Sequence, residues 1–304
     1  LIVADQKRFD RISGEPTHPV LIFEEMDLAN QSEMIDSFIR LDEDECACLL
    51  YTSGTTGAPK GVMTSHRSMI ANSTLSMLQG AAVSQDSSSK GIDWAKHKPT
   101  SLLTSPLFHV SGLSAGVVTS LFAGSTTLLY AGKFSAHKIL ELIDKFNVTS
   151  WGGAVPTALK RVLDAANETN ISLPSVLVVG GGGAPMPPAL IERTKEVFPS
   201  SKYSFGYGYG LTESGAITII NWGENLNSNP ASPGQVMPTV NVELRDEEGQ
   251  VILEDNEEGE IFVRSPSVML GYFNNPEASS ESLLEDRWLR TLMVEPIIFN
   301  LIKL

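Results

Sequence analysis

The sequence predicts an α/β fold: parallel sheets covered by helices, followed by a small antiparallel β subdomain. Three observations carry that expectation. From Leu49 to Tyr209 short apolar runs alternate with amphipathic stretches, the rhythm of a parallel sheet with helical crossovers. Clusters of glycine and hydroxyl residues stand at the ends of the expected strands, where open α/β sheets bind ligands. After Asn221 the pattern changes to alternating apolar and polar residues separated by turn residues, as in antiparallel hairpins.

The elements follow in order. Before Cys46 the chain is mixed, with an apolar run from Val20 to Phe23 and an acidic patch from Asp42 to Glu45. It opens without methionine and reads as the interior of a longer sequence. Cys46 to Tyr51 is expected as a buried strand and Ser65 onward as a helix, with a glycine-rich strand-to-helix connection between them. Gly80 to Thr100, containing Ser87-Ser88-Ser89-Lys90-Gly91, reads as a surface loop. Leu102 to Thr104 and Thr126 to Tyr130 read as strands, separated by the apolar stretch Leu113 to Phe122. His137 to Phe146 places Ile139, Leu142, Ile143 and Phe146 on one helical face. Val148 to Trp151 follows as a strand, and Pro156 to Ala166 opens with proline where a helix tolerates it.

Val176 to Val179 is a β-branched run ending in glycines, Pro187 to Phe198 a helix, and Tyr203 to Tyr209 a strand. The β subdomain begins near Pro233, with strands at Val240 to Arg245, Gln250 to Leu253 and Gly259 to Arg264 and a turn at Asp246 to Gly249. The acids between Asp246 and Glu258 read as solvated hairpin tips rather than a metal site. The expected organisation is a partial first subdomain over 1–79, the loop over 80–100, an α/β subdomain over 101–225, a partial β subdomain over 226–291 and a divergent tail over 292–304.

Composition excludes several classes. With 304 residues, 42% hydrophobic and 19% charged, the chain is ordinary globular material long enough for a large core or about two domains. A net charge of −14 argues against a nucleic-acid partner, which calls for a basic face. Cys46 and Cys48 are too few and too close for a disulfide framework, which fits a reducing, cytoplasmic compartment. No apolar run reaches membrane-spanning length and no signal-peptide pattern opens the chain. Peripheral membrane contact is left open.

The stretch Tyr51-Thr-Ser-Gly-Thr-Thr-Gly-Ala-Pro-Lys-Gly61 concentrates the chemistry. Gly54, Gly57 and Gly61 permit close backbone approach, Thr52, Ser53, Thr55 and Thr56 supply hydroxyls, and Lys60 supplies a compact positive charge. Together they form a cradle for a polyanion. The spacing is not that of a Walker A loop, because Gly54 and Gly57 bracket two residues and Lys60 is followed by Gly61 and Val62.

Three further clusters stand at strand ends. Gly180 to Pro185 would let a flat ring lie against bare backbone, or would simply make a tight strand-to-helix turn. A Rossmann fingerprint would need glycine in place of Pro185. Gly208-Tyr-Gly-Leu-Thr-Glu-Ser214 groups an aromatic ring, a hydroxyl and a carboxylate suited to stacking, phosphate contact and Mg²⁺ ligation. The alternative is a buried Tyr209 beside Thr212 capping a following helix. Finally, His109 follows Pro106-Leu-Phe and is either a core histidine or a functional one.

Taken together these segments resemble the adenylate-forming superfamily of acyl-CoA synthetases, coumarate-CoA ligases, luciferases and peptide-synthetase adenylation domains. The loop from Thr52 to Gly61 is similar to that family's phosphate signature, and Tyr209 to Glu213 to its Tyr-Gly-x-Thr-Glu motif. Gly181 to Pro185 resembles its adenine-binding segment, while Gly259 to Arg264 and Gly271 to Pro276 resemble its β-subdomain motifs. The order of motifs agrees as well.

The resemblance implies a ligase that couples a carboxylic acid to ATP, giving an acyl-adenylate and pyrophosphate, and then passes the acyl group to coenzyme A with release of AMP. It implies that Thr52, Ser53, Gly54, Thr55, Thr56, Gly57 and Lys60 hold the outer phosphates. Gly181, Gly182, Gly183, Ala184 and Pro185, with Tyr209 and Gly210, would frame the adenine. Thr212 would contact the α-phosphate, and Glu213 with Thr52 would position Mg²⁺. His109, Thr212, Glu213 and Lys60 are the implied catalytic set, with His109 between the carboxylate and thiol channels. Small residues at Gly112 to Gly116 and Gly180 to Gly183 suit a fatty or other bulky hydrophobic acid, unless Trp151 fills that space. Loading of a carrier-protein thiol would use the same motifs.

Asp286-Arg-Trp-Leu-Arg-Thr291 resembles the family's Trp-Leu-x-Thr-Gly-Asp motif, but Leu292 and Met293 stand where Gly-Asp is expected. That aspartate is implied to hold the ribose, and the family's C-terminal lid domain with its lysine has no counterpart here. The expectation from the sequence is therefore a truncated, incomplete form that does not complete the reaction alone, or a binding module that retains partial ATP binding.

Overall fold

The computed structural model describes residues 2–4, 20–22, 41–52, 58–254 and 257–291. Residues Leu1 to Leu41 form one unit, in which Ile2–Ala4 (β1) pairs in parallel with Val20–Ile22 (β2). Asp42 to Leu304 form the second unit.

Cys46–Thr52 (β3) is a strand, but it does not lead directly to a helix. Lys60–Ser65 (β4) turns back against it in an antiparallel pair, from Cys48 opposite Thr64 to Thr52 opposite Lys60. The expected strand-to-helix connection is thus a hairpin loop, because Val62 and Met63 extend the chain into a second apolar strand. Ser65 then caps the helix His66–Ser89, its hydroxyl accepting from Ser68 N at 3.1 Å.

That helix absorbs the first half of the expected surface loop at 80–100. Serine signals turns because its hydroxyl competes for backbone groups, yet inside a helix the same hydroxyl can bond the preceding turn. Ser87 Oγ donates to Val83 O at 2.7 Å and accepts from Trp94 Nε1 at 3.0 Å, so the residue is buried rather than solvated.

The main sheet has seven strands in the order β11-β10-β9-β8-β7-β5-β6. Thr100–Leu103 (β5), Thr126–Leu129 (β6), Ser150–Ala154 (β7), Val178–Gly182 (β8) and Gly206–Leu211 (β9) run parallel. Ala216–Trp222 (β10) and Gln235–Val236 (β11) close one edge antiparallel. Helices Ala136–Phe146, Pro156–Thr169 and Pro188–Val197 make the crossovers. Each buries an apolar stripe, Ile139 and Ile143, Leu159 and Leu163, and Leu190 and Ile191, against Leu102, Trp151 and Val179 of the sheet. Phe146, expected on that stripe, is exposed, because the helix ends there at a left-handed Asn147.

The glycines after Val179 also behave differently from expectation. They do not end the strand but continue it, with Gly180 opposite Gly206, Gly181 opposite Tyr207 and Gly182 opposite Gly208. Beyond the sheet, Asn241–Arg245 (β12), Glu260–Arg264 (β13) and Leu289–Arg290 (β15) form the small antiparallel sheet. The expected strand at Gln250 to Leu253 reduces to a single bridge between Arg245 and Val251. Gly271–Tyr272 (β14) pairs instead with β4. Among the described residues no helix is long and apolar enough to cross a membrane.

Candidate functional site

The main sheet has two unlike faces. In-register neighbours in a parallel sheet share a face, and Leu102, Trp151 and Val179 form the face buried under the crossover helices. The opposite face carries Leu103, Gly152, Gly180, Gly182, Gly206 and Gly208, so over three strands it is nearly bare backbone. Side chains are excluded here for a steric reason at Gly182, where a Cβ would stand 2.9 Å from the Gly208 carbonyl oxygen. At Gly180 the space is open, the nearest atom being Gly152 Cα at 3.7 Å.

A cavity of about 410 Å³ lies over this face. Its other wall comes from Ser76 of the His66–Ser89 helix and from Val110, Ser111, Ala115, Gly116 and Ser120. These last residues belong to one continuous helical stretch, α-helical at Val110–Gly112 and Thr119–Phe122 and π-helical at Leu113–Val118 between them. The wide turn is held by Asn72 Nδ2 donating to Ser114 Oγ at 2.8 Å and Thr119 Oγ1 donating to Ser114 O at 3.0 Å. Such π turns recur at functional sites. Apolar groups dominate the lining.

His109 stands at the mouth of the cavity and is exposed, so the reading as a core histidine is corrected. It caps the helix that follows, its Nδ1 accepting from Ser111 N at 3.2 Å with Ser111 Oγ 2.8 Å away. An accepting Nδ1 assigns the proton of the neutral ring to Nε2. Close seating of that helix on the Pro106 turn needs Gly112, where a Cβ would fall 2.1 Å from the Pro106 carbonyl oxygen.

Of the expected adenine frame, Gly181, Gly182, Gly183 and Gly210 line the cavity, while Ala184 and Pro185 are exposed beyond its rim. Tyr209 is half-buried and packs toward the small sheet's core, whose centre is Leu244, Ile261 and Val263. Pairing of β8 with β9 brings the glycine run and the Tyr209 strand side by side.

Thr212 and Glu213 occupy the turn between β9 and β10, so Thr212 caps no helix. The turn is tied down by Ser214 Oγ, which accepts from Leu211 N at 3.0 Å, and by Ser267 Oγ donating to Ser214 O at 2.8 Å. Met269 N donates to Glu213 O at 2.9 Å. The Glu213 carboxylate accepts from Tyr272 Oη at 2.9 Å through Oε1, and among the described residues Oε2 receives no hydrogen bond.

Lys60 sits at the start of β4 with its ammonium 4.8 Å from the centre of the Tyr272 ring. Thr52, opposite it in the hairpin, turns its hydroxyl to the Lys60 carbonyl oxygen at 3.5 Å. Ser53, Gly54, Thr55, Thr56 and Gly57 lie outside the described residues. Burial and the adjacent Glu213 carboxylate push the Tyr272 phenol well above its usual range, so it stays protonated and donates. Tyr272 belongs to the Gly271 to Pro276 motif noted in the sequence, but no site role was expected of it. The glycine face was legible in principle, since Gly206, Gly208 and Gly210 recur with the two-residue period of a strand.

A polyphosphate with Mg²⁺ fits this donor set. Mg²⁺ is commonly held by one or two carboxylates together with substrate phosphates. Glu213 offers one carboxylate oxygen, and no group of three or more metal-binding side chains occurs among the described residues. Lys60 offers an ammonium suited to a phosphate.

Comparison with known proteins agrees with this chemistry. A family model described as AMP-binding enzyme matches residues 6–273. Curated relatives include 4-coumarate–CoA ligase of Pinus taeda, 33% identical over 266 residues, which cover 85% of this chain and 46% of the relative. Peroxisomal OPC-8:0-CoA ligase 1 of Arabidopsis thaliana is 32% identical over 293 residues, 96% of this chain and 50% of the relative. Among solved structures, O-succinylbenzoate coenzyme A synthetase of Bacillus subtilis in complex with ATP and magnesium superposes with a TM-score of 0.74 at 29% identity. That match covers 95% of this chain and 55% of the other. The chain spans about half the length of the curated relatives it matches.

Proposed function

The chain belongs to the AMP-binding enzyme family, and from that premise we propose that it carries the nucleotide and acyl sites of an acid–thiol ligase. The reaction is activation of a bulky hydrophobic carboxylic acid. A carboxylate oxygen attacks the α-phosphorus of ATP, the α–β phosphoanhydride bond breaks, and pyrophosphate leaves. The thiol of coenzyme A then attacks the acyl carbon of the resulting acyl-adenylate, losing its proton as AMP departs.

The observation that carries this reading is the bare glycine face beside the Thr212–Glu213 turn. It leaves about 410 Å³ of largely apolar space next to the groups suited to phosphate and metal. Cavities of roughly 300–1,000 Å³ are typical of small-molecule sites. Trp151 does not obstruct this one, because it is buried on the other face against Phe198. The relatives' named substrates, a coumarate, OPC-8:0 and a succinylbenzoate, are bulky acids of the kind this space would accept.

Each residue then has a defined task. Lys60 and the hydroxyl-rich loop bind the outer phosphates, and Thr212 donates to the α-phosphate. Gly181 to Pro185, with Tyr209 and Gly210, receive the adenine. Glu213 orients Mg²⁺, which when bound offsets negative charge developing on the phosphates. His109, with its proton on Nε2, stands at the cavity mouth where the acyl carboxylate and the thiol would meet.

Acid-dependent exchange of labelled pyrophosphate into ATP, measured over short, aryl and fatty acids, tests the reading. Where exchange occurs, bulky acids are expected to support it and acetate is not. Failure of every acid to support exchange, in a chain that binds MgATP, would favour the second reading, a nucleotide-binding module without turnover. The sequence favours that reading at one point, Leu292-Met293 in place of Gly-Asp.

Two variants sharpen the assignment. Gly180→Leu puts a side chain into the open space over Gly152 and is expected to abolish acid-dependent effects of bulky acids, with the thermal midpoint nearly unchanged. An unaltered acid profile would remove the acyl assignment. Leu292→Gly with Met293→Asp is expected to tighten ATP binding by about 10-fold or more, the effect of a hydrogen bond from ribose to a charged group. Deoxyribose analogues would lose that gain.

A further inference from the structure

Tyr272 is where two candidate groups of the nucleotide site converge. It lies in β14, opposite Val62 of β4, and Phe273 N donates to Gly61 O at 2.8 Å, which holds this strand against the start of the Lys60 strand. The ring is buried with Val62, Val268, Met269 and Ala278. Its backbone N–H lies 2.8 Å from Ser279 Oγ. One side of the ring is 4.8 Å from Lys60 Nζ, and the hydroxyl is 2.9 Å from Glu213 Oε1.

Both partners are charges that a nucleotide site must keep available. Had Lys60 and Glu213 paired with each other, the ammonium would be lost to phosphate and the carboxylate to metal. Instead each is satisfied by a neutral group, the cation by the ring face and the carboxylate by a phenolic donor. Among the described residues Lys60 has no carboxylate partner, and Glu213 keeps Oε2 open.

We propose that Tyr272 is a positioning residue for MgATP: its hydroxyl orients the Glu213 carboxylate for the metal while its ring confines the Lys60 ammonium at the start of β4. The two functions reside in different parts of one side chain and are separable by substitution. This inference rests on the nucleotide reading given above.

The test is ATP binding, followed with a fluorescent ATP analogue, in chelator and across a Mg²⁺ titration, for the wild-type chain, Tyr272→Phe and Tyr272→Leu. Phenylalanine keeps the ring and removes the donor. It is expected to leave metal-free affinity within about twofold and to raise the Mg²⁺ midpoint about tenfold. Leucine removes both contacts and is expected to weaken metal-free binding as well, by about threefold or more. Recovery of metal-free affinity from leucine to phenylalanine identifies the ring's part when the leucine variant keeps the wild-type thermal midpoint. A wild-type chain that binds MgATP and a Tyr272→Phe variant with the same Mg²⁺ midpoint would overturn this proposal alone. A wild-type chain that binds ATP in neither condition would overturn the nucleotide reading and this proposal with it. Tyr272→Phe conserves the buried shape, so the decisive arm survives even if the leucine variant fails to fold.

Discussion

Replacing Lys60 by alanine is expected to weaken MgATP binding by about 10-fold to 100-fold, the effect of losing a hydrogen bond to a charged group. The ammonium stands at the first residue of β4, directly after the glycine-rich loop, and the Tyr272 ring limits where it can go. A net charge of −14 leaves no general attraction for a polyanion, so Lys60 is expected to carry a disproportionate share of the binding. Stability should change little, because the Thr52–Lys60 pair is joined through backbone and a hydroxyl to the Lys60 carbonyl, all retained in alanine. Arginine is expected to restore only part of the affinity, since its planar fork does not reproduce a compact ammonium. Isothermal titration with MgATP checks this, and an alanine variant within twofold of wild type would sink the assignment.

Trp151→Ala carries the largest expected cost in stability, about 3–5 kcal/mol. The indole is fully buried at the centre of the sheet's helical face, meets Phe198 edge-on at 6.0 Å, and donates from Nε1 to Thr104 Oγ1 at 3.1 Å. Removing it opens a cavity between the sheet and its crossover helices. The neighbouring position behaves oppositely. Gly180→Ala, on the bare face, meets only Gly152 Cα at 3.7 Å and is expected to be nearly neutral. Denaturant midpoints of the two variants compare the faces directly. Equal losses would mean that the glycine face is packed rather than a binding surface.

Much of the fold could be read without coordinates. The crossover helices have apolar residues at helical spacing, and β5 to β9 are short apolar or glycine-rich runs between them. The β12–β13 pair alternates as a half-buried strand must. Sequence and structure differ where a residue's local preference is overridden by partners distant in sequence. Ser87 sits in a turn-like composition, yet Trp94 and the preceding helical turn satisfy its hydroxyl. Gly180 to Gly182 look like a turn, yet β7 and β9 on either side pair with them and keep them extended. Thr212 looks like a cap, yet β10 turns back against β9 and leaves no helix to cap.

The candidate site divides in the same way. Glycine spacing, the hydroxyls and Lys60 are chemical identities, and identity together with order along the chain is enough to recognise an anion cradle and the family whose model covers residues 6–273. Tyr272 and Glu213 are 59 positions apart, and no spacing rule joins them. Their contact depends on β14 pairing with β4 and on the Met269 bond to Glu213. By itself the sequence determined which groups are present for the proposed nucleotide and acid sites, because composition and local period are properties of the chain. Only the tertiary structure decided which face of the sheet is bare, that His109 is exposed beside the cavity over that face, and that one tyrosine contacts both the cation and the carboxylate. Those outcomes are set by long-range strand pairing, whose energy comes from partners that no local stretch of sequence contains.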